Sequence, residues 1–234
     1  WLDHSNATRF EMNKYDAYAV EAALRIKESF PGSVIDIITV GSDHAQETVR
    51  RALGMGADNG IHIIDNRPDY RSPFQTAAWI SQYARDKHYN LTLAGIMSED
   101  EMNAQTGPMI AQKSALPFCT GVIHLQVSED KQTISVQRET EGGARDLFDI
   151  RLPCLLTVQT GINIPRYPAL SKVLRAKKIT LETIEAAQLE KGAAGIEPDR
   201  IQYPEQKQKG RFLKGTLDEK VDQLFDLLVN RSLL

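Results

Sequence analysis

Three segments of the 234-residue sequence carry residues suited to binding a phosphate group: 13–16, 40–41 and 95–107. Gly41 and Gly95 each follow an apolar run typical of a strand, and a backbone without a side chain allows a ligand to approach closely. Residues 105–107 stand at a predicted helix start, where free N–H groups and the helix dipole favour an anion. Each glycine by itself is more typical of a plain tight turn.

The sequence offers little for covalent or metal-assisted catalysis. It contains neither a GxxxxGK[ST] loop nor a spaced GxGxxG motif, which disfavours a P-loop NTPase or a dinucleotide dehydrogenase. Its five histidines lack the spacing of a metal site or a catalytic triad and are expected to be surface or structural residues. The run Glu99-Asp100-Glu101 could coordinate Mg²⁺ or bind ribose hydroxyls, although a charged loop is more often simply solvated. We therefore predict no catalytic residue and no bound metal.

Composition favours one α/β domain with extensions in a reducing compartment. Hydrophobic residues make up 41% and charged residues 25% of the chain, which is enough for a full core. The net charge of −3 gives no electrostatic basis for binding nucleic acid or a membrane surface. No apolar run approaches the ~18 residues of a membrane span. Cys119 and Cys154 form neither a disulfide framework nor a CxxC pair, so we expect buried thiols in a cytoplasmic protein.

The elements that would position these segments alternate between helix and strand. The pattern predicts helices over 13–29, 45–53, 72–87 and 104–115, with strands over 34–40, 61–64, 91–94 and 121–127. A hairpin follows, with strands over 133–139 and 147–158, the second broken by Pro153. Such a βαβ series predicts a doubly wound, mostly parallel sheet that binds ligands at the carboxyl ends of its strands. The β-branched strand 34–40 is expected to be buried on both faces.

The segment after the hairpin has the composition of a docking element. Residues 160–168 hold glycine, asparagine and two prolines, which discourage both helix and central strand. A short helix is predicted over 169–178, with an apolar face and a basic end. Its apolar residues are Leu170, Val173 and Leu174, and its basic residues are Arg175, Lys177 and Lys178. An irregular segment that ends in such a helix is a candidate for docking onto another protein.

The chain changes character near residue 184, where we place a domain boundary. Residues 1–184 are predicted to form a nucleotide-binding α/β domain, and 185–234 a linker followed by an amphipathic helix over 218–234. The apolar stripe of that helix consists of Val221, Leu224, Phe225, Leu228 and Val229. A long polar connection in front of an apolar stripe indicates a helix that wraps a partner, and packing back onto its own sheet is the alternative.

Several motifs resemble the β subunit of the electron-transfer flavoproteins. They are, in order, Arg138-Glu139, Gly142-Gly143, Leu152-Pro153, Asn163, Pro165-Arg166-Tyr167, Leu170 and Ala176-Lys177-Lys178. The resemblance also runs through the nucleotide segments and covers most of the chain. It implies an adenine-nucleotide α-hydrolase-like fold with a β-hairpin, a recognition loop over 158–180 and a C-terminal arm that embraces an α subunit.

This resemblance implies an electron carrier that turns over no substrate of its own, unless it bifurcates electrons. The α subunit would complete a heterodimer and hold most of the redox FAD. Flavin dehydrogenases of the acyl-CoA type, as in fatty acid oxidation, would donate electrons, and a quinone-reducing oxidoreductase would accept them. In a eukaryote the compartment would be the mitochondrial matrix.

The resemblance also implies roles for individual residues. AMP would be bound by Asn13, Lys14, Tyr15, Asp16, Val40, Gly41, Gly95, Ile96, Asp100, Asn103, Ala104, Gln105 and Thr106. Glu139 would lie near the flavin and the subunit boundary, and Leu170 would enter a hydrophobic pocket of the dehydrogenase. The full set of docking residues would be Arg166, Tyr167, Leu170, Lys177 and Lys178.

Two alternatives stay open. Met97 and Met102 depart from the usual family pattern, so a second FAD in this chain, as in bifurcating relatives, is the alternative to AMP. A stand-alone adenine-nucleotide-binding or hydrolysing domain would use the same sheet, but it would not explain residues 166–178 or the C-terminal helix. Family members also open with a strand and loop before the position of Asn13, and residues 1–12 are expected to follow such a strand.

Overall fold

The structure, a computed structural model, describes residues 11–67, 70–189, 210 and 212–231. It divides into two compact units, residues 1–198 and residues 199–234. Most of the predicted linker, the predicted remnant before Asn13 and the last residues of the predicted C-terminal helix lie outside the described residues. The predicted domain boundary at residue 184 stays a prediction.

Helices and strands alternate over the first part of the first unit. They are α1 (Lys14–Ser29), β1 (Asp36–Gly41), α2 (Gln46–Met55), β2 (Asn59–Ile64), α3 (Pro73–Ala84), β3 (Leu91–Gly95), α4 (Thr106–Lys113), β4 (Phe118–Val127), β5 (Thr133–Glu139), β6 (Arg145–Arg151), β7 (Cys154–Val158), α5 (Leu170–Ala176) and β8 (Glu182–Glu185). The second unit contains α6 (Leu217–Asn230). A capping box starts α6, in which the Thr216 side chain accepts from the Glu219 N–H and Glu219 accepts from the Thr216 N–H at 2.7 Å.

The strands of the first unit form two sheets. β1, β2 and β8 make a parallel sheet in the order β1-β2-β8. The second sheet has the order β3-β7-β4-β5-β6, in which β3, β7 and β4 are parallel while β5 and β6 continue as an antiparallel meander. Adjacent residues of β1 face opposite sides, since Ile37 packs with α1 and α2 whereas Ile38 packs with Trp79 of α3. The predicted doubly wound, mostly parallel α/β fold is therefore confirmed.

Pro153 separates two strands that lie apart in the sheet, where the sequence predicts one interrupted hairpin strand. β6 pairs with β5, with Ile150 opposite Ile134, whereas β7 lies between β3 and β4. All residues of β7 are buried, as expected for a central parallel strand. The predicted break at Pro153 is confirmed, since proline has no N–H to donate to a ladder, but the prediction that 154–158 belongs to the hairpin is wrong because the chain changes neighbours there.

Strand β1 is less buried than its β-branched sequence predicts. Asp36 to Val40 are half-buried, and Val34 before them is 68% exposed. Side chains pack on both faces of β1, through Ile37 on one side and Ile38 on the other, but they cover it incompletely. The expectation of full burial is therefore wrong for β1, although both of its faces are packed. Full burial on both faces occurs instead in the central strand β2, where Ile61 and Ile63 on one face and His62 on the other are fully buried.

Three helix ends show which local sequence signals determine where a helix begins or ends. Ser72 caps α3 as predicted, accepting a hydrogen bond from the Gln75 N–H at 3.3 Å. Gly56, with φ +132°, ends α2, whereas Gly54 lies inside that helix. The predicted helix start at Ala104 is wrong, because φ is +53° at that residue and α4 begins two residues later.

Candidate nucleotide site and docking segment

The first turn of α1 is tied to the loop that follows β3. The Asp16 carboxylate accepts a hydrogen bond from the Gly95 N–H at 2.7 Å. The Asn13 side-chain amide donates to the Met97 carbonyl oxygen at 2.9 Å and to Asp16 at 3.0 Å. Two of the three predicted segments therefore meet at the carboxyl end of β3, where parallel sheets bind ligands.

The glycines at this edge have a packing role of their own. A Cβ at Gly95 would lie 2.6 Å from the Tyr15 Cβ and 2.9 Å from the Asp16 nitrogen, so only glycine lets α1 come this close. A Cβ at Gly107 would likewise overlap the Thr157 side chain, which lies under α4. Helix packing alone explains these two glycines. Close approach of a ligand to them stays a prediction.

Replacing Gly95 with alanine should destabilise the first unit by about 1–3 kcal/mol, because the new methyl group forces α1 away from β3. Thermal unfolding followed by circular dichroism measures the change. Gly210→Ala is the control, since a Cβ at Gly210 meets no atom within 4 Å. An unchanged Tm for Gly95→Ala would show that α1 shifts without cost.

The loop between β3 and α4 is held in a defined shape by its own polar residues. Asp100 accepts a hydrogen bond from the Glu101 N–H at 2.7 Å, and the Asn103 amide donates to Glu101 at 2.8 Å. Met102 and Ala104 both have φ of +53°, which turns the chain toward α4. Asp100 and Asn103, two predicted ligand contacts, therefore belong to the same ordered loop.

Gln105 and Thr106 stand where α4 begins. The Gln105 side chain does not cap the helix, so the first N–H groups of α4 have no intrahelical acceptor and suit an anion. The Ile96 N–H, by contrast, donates to the Val158 carbonyl oxygen at 2.9 Å. Of these predicted contacts, the start of α4 offers backbone donors suited to an anion, and phosphate binding there stays a prediction.

The carboxyl groups at this edge differ in their electrostatics. The protein surroundings of Asp16 raise its pKa by desolvation, which a hydrogen bond from Asn13 offsets only in part. Desolvation and the charge of Asp100 also raise the pKa of Glu101. A hydrogen bond from Ser98 lowers the pKa of Asp100. Asp100 is therefore ionised at neutral pH, in the form that accepts hydrogen bonds from hydroxyl groups.

Asn13 has one buried atom without a partner. Its Oδ1 accepts no hydrogen bond from the residues that the structure describes, although its Nδ2 donates two. A buried acceptor without a donor is costly, and an amino or hydroxyl group of a bound molecule would satisfy it. The next residue, Lys14, forms an ion pair of 2.8 Å with Glu99 at the exposed rim.

A cluster around Asp65, absent from the predicted site, also lies at this edge. Asp65 directly follows β2 and is buried, and its carboxylate accepts from Arg67 Nε at 2.7 Å and from Arg71 Nε at 2.8 Å. Burial acts to raise the pKa of Asp65, but these two arginines hold it below its ordinary value. The sequence signal that could have indicated this cluster is the run of charged residues that follows β2.

The Asp65 cluster connects the end of β1 to the loop after β3. The Gly41 carbonyl oxygen accepts a hydrogen bond from the Asp65 N–H at 2.9 Å. On the other side, the Tyr70 hydroxyl lies 3.4 Å from Glu101. Val40 packs inward with Ile63 and Trp79. The third predicted segment is thus joined to the other two through the loop that follows β2.

The docking segment, residues 160–178, exposes large apolar side chains. They are Ile164 (83% exposed), Tyr167 (91%), Leu170 (73%) and Leu174 (53%). Lys177 and Lys178 are exposed just after α5. The Arg166 guanidinium is directed toward α1, where it pairs with Glu21 at 2.8 Å. Direct contact of these residues with a partner stays a prediction.

Glu139 lies at the exposed end of β5. It is opposite Arg145 of β6, and the neighbouring Arg138 donates to Asp146 from Nη2 at 2.9 Å and from Nε at 3.1 Å. Arg138 thus stabilises the hairpin, whereas the predicted role of Glu139 at a flavin boundary stays a prediction.

The described residues contain no group of three or more His, Cys, Asp or Glu side chains placed to hold a metal ion. None of the helices that the structure describes is long and apolar enough to cross a membrane.

The predicted burial of both thiols is confirmed for Cys119 and Cys154, and burial raises the pKa of Cys154 to about 11. A buried thiol of this kind is unreactive.

Comparison with known proteins covers nearly the whole chain. A family model described as "Electron transfer flavoprotein domain" matches residues 4–189. The electron transfer flavoprotein subunit beta of Bacillus subtilis is 31% identical over 223 residues, or 93% of this chain and 85% of that protein. The subunit beta of Bos taurus is 34% identical over 187 residues, 79% of this chain and 72% of that protein. The caffeyl-CoA reductase-Etf complex subunit CarD of Acetobacterium woodii is 33% identical, over 90% of this chain and 82% of that protein.

Proposed function

This chain belongs to the electron transfer flavoprotein family as a β subunit, and we propose on that basis that it works in a heterodimer whose α subunit holds most of the redox FAD. It supplies one wall of the flavin cleft, with Glu139 at the boundary, and it turns over no substrate of its own. Electrons pass from flavin dehydrogenases to a quinone-reducing oxidoreductase. The relative named as a subunit of a caffeyl-CoA reductase-Etf complex supports redox partners that act on CoA thioesters.

The exposed docking segment is the observation that carries this proposal. Tyr167 and Leu170 are 91% and 73% exposed on a segment whose backbone is fastened to α1 through Arg166. Large apolar side chains that solvent surrounds are typical of a protein-binding hot spot. Lys177 and Lys178 add positive charge that favours an acidic rim on the partner. A stand-alone nucleotide-binding domain would have no use for such a segment.

AMP fits the residues at the carboxyl ends of the strands. The unpartnered Oδ1 of Asn13 suits an amino or hydroxyl donor, the ionised Asp100 suits ribose hydroxyls, and the start of α4 suits the phosphate. A second FAD would require polar contacts for its larger ring system. Met97 and Met102 offer no polar side chain there, so we favour AMP.

Co-expression with the α subunit of the same organism tests the proposed function. We expect a yellow heterodimer whose flavin absorbance is bleached by an acyl-CoA dehydrogenase in the presence of its acyl-CoA substrate. A colourless homo-oligomer that binds or hydrolyses adenine nucleotides would contradict the proposal and favour the stand-alone alternative.

One FAD and one AMP per heterodimer is the expected nucleotide content. Denaturation of the purified heterodimer followed by chromatography counts both. Asn13→Leu removes the buried acceptor and both hydrogen bonds that the side-chain amide donates. This variant should contain less AMP while it retains FAD. Two FAD and no AMP in the unaltered heterodimer would contradict the AMP assignment and make NADH-linked bifurcation the leading mechanism.

A further inference from the structure

A buried carboxylate on α1 holds the beginning of the docking segment. The Glu21 side chain is only 4% exposed. Its carboxylate accepts hydrogen bonds from the Arg166 N–H at 3.1 Å, from Arg166 Nε at 2.8 Å and from Arg166 Nη2 at 3.0 Å. Arg25, one turn further along α1, donates to the same carboxylate at 3.0 Å. The carboxylate therefore binds both the side chain and the backbone of the segment.

This arrangement strongly favours one conformation of the segment. A buried carboxylate is costly unless it is paired, and an arginine fork with a backbone N–H satisfies both of its oxygens. Burial acts to raise the pKa of Glu21, but the bonds from Arg166 and Arg25 hold it below its ordinary value. Two further bonds are made nearby, from Arg166 Nη1 to Glu28 at 2.8 Å and from the Asn163 amide to the Tyr18 carbonyl oxygen at 2.9 Å.

An arginine on α2 holds the other end of the segment. Arg50 Nη1 lies 2.9 Å from the Ala176 carbonyl oxygen and 3.1 Å from those of Lys177 and Ile179. These carbonyls follow the last turn of α5, where acceptors lack intrahelical donors and the helix dipole favours a cation. At seven residues, α5 is too short to be stable without such support.

Tyr167 and Leu170 lie between these two attachments, and Ile164 lies just before the first. Ile164, Tyr167 and Leu170 project from a backbone that is bonded at 163, 166 and 176–179. A binding surface that is already ordered loses less conformational entropy when it docks. The attachments therefore serve a surface that contributes little to the core of its own domain.

We infer that Glu21 and Arg50 are positioning residues for docking, an inference that rests on the docking function proposed above. Neither needs to touch the dehydrogenase. Each holds one end of residues 163–179 in the conformation that presents Leu170 to an apolar pocket of the partner.

Hydrogen–deuterium exchange on the intact heterodimer tests the attachments without any partner. Glu21→Gln should accelerate exchange by about tenfold in peptides covering 163–176, with no change in β4, β5 and β6. Glu47→Gln, an exposed position on α2, is the charge-matched control. Unchanged exchange in 163–176, or equal acceleration throughout the domain, overturns the inference. If Glu21→Gln does not fold, Arg50→Ala with Arg51→Ala as its control takes its place, with the same expectation for 170–179.

The kinetics of electron transfer from an acyl-CoA dehydrogenase distinguish a positioning role of Glu21 from an effect on the overall stability of the domain. Glu21→Gln should raise the KM for the flavoprotein about fivefold or more with kcat unchanged, because preorganisation is lost before binding. In the Leu170→Ala background, Glu21→Gln should change this KM by less than about twofold, because the Leu170 side chain that the attachment presents is absent.

The outcomes of this comparison are distinguishable. An equal increase in KM in both backgrounds, or a fall in kcat alone, overturns the positioning role. A changed KM for Leu170→Ala with no change for Glu21→Gln overturns the inference and leaves the docking function standing. An unchanged KM for Leu170→Ala overturns the docking function and the inference together.

Discussion

Leu170→Ala should lower kcat/KM for electron transfer from the partner dehydrogenase by roughly tenfold or more, because a hot-spot side chain contributes about 1–3 kcal/mol when its pocket is filled. In the free chain this side chain is 73% exposed, so its removal should leave Tm and FAD content unchanged. Steady-state reduction of the flavin with varied heterodimer concentration measures the effect.

Val34→Ala is the matched control for this variant, since Val34 is also an apolar side chain that is mostly exposed, at 68%. It should leave electron transfer unchanged. Leu170 is not in the interface if Leu170→Ala has the same kinetics as the unaltered protein, measured with a dehydrogenase whose rate saturates with heterodimer concentration. Loss of flavin or of the fold would instead identify Leu170 as a structural residue.

Deletion of residues 218–234 should weaken the heterodimer at least about 100-fold, because burying several apolar side chains contributes about 1–2 kcal/mol each. The stripe on α6 is exposed in the structure, at Val221 (56%), Leu224 (49%), Phe225 (58%) and Val229 (47%). Size-exclusion chromatography of the co-expressed subunits at decreasing concentration measures the dissociation. The truncated chain should keep the circular dichroism of a folded α/β domain.

Point variants on the two faces of α6 give the control. Phe225→Lys on the apolar stripe should reproduce the effect of the deletion, whereas Asp226→Lys on the polar face should not. A truncated chain that still forms a heterodimer of normal stability would contradict a role of α6 in binding the α subunit. In that case a lowered Tm of the β chain alone would show that the helix packs against its own chain.

The element types follow from local sequence patterns. Ser72-Pro73 predicts the start of α3, and alternating apolar runs predict β1, β2 and β3 within two residues at most ends. These predictions succeed because periodicity, capping and turn residues act over a few positions along the chain. For the same reason the irregular backbone of residues 160–168 is predictable from their prolines and glycine.

Local patterns were less informative about the candidate site. Gly41 and Gly95 are predicted as points of ligand approach, and the structure adds that the packing of α1 requires glycine at Gly95. Asp65 and its two arginines were missed, because a charged cluster after a strand is usually solvated and only its burial distinguishes it. The unpartnered Oδ1 of Asn13 likewise depends on what surrounds it.

By itself, the sequence determined the doubly wound α/β class, the resemblance to the electron-transfer flavoprotein β subunits and the apolar, basic composition of the docking segment. Only the tertiary structure decided that β7 lies between β3 and β4, that β1 is half-buried, and that Arg166 bonds to Glu21. Glu21 and Arg166 are separated by 145 positions along the chain. Local propensities do not specify such partners, because the path of the whole chain determines which carboxylate meets which guanidinium and which strands become neighbours.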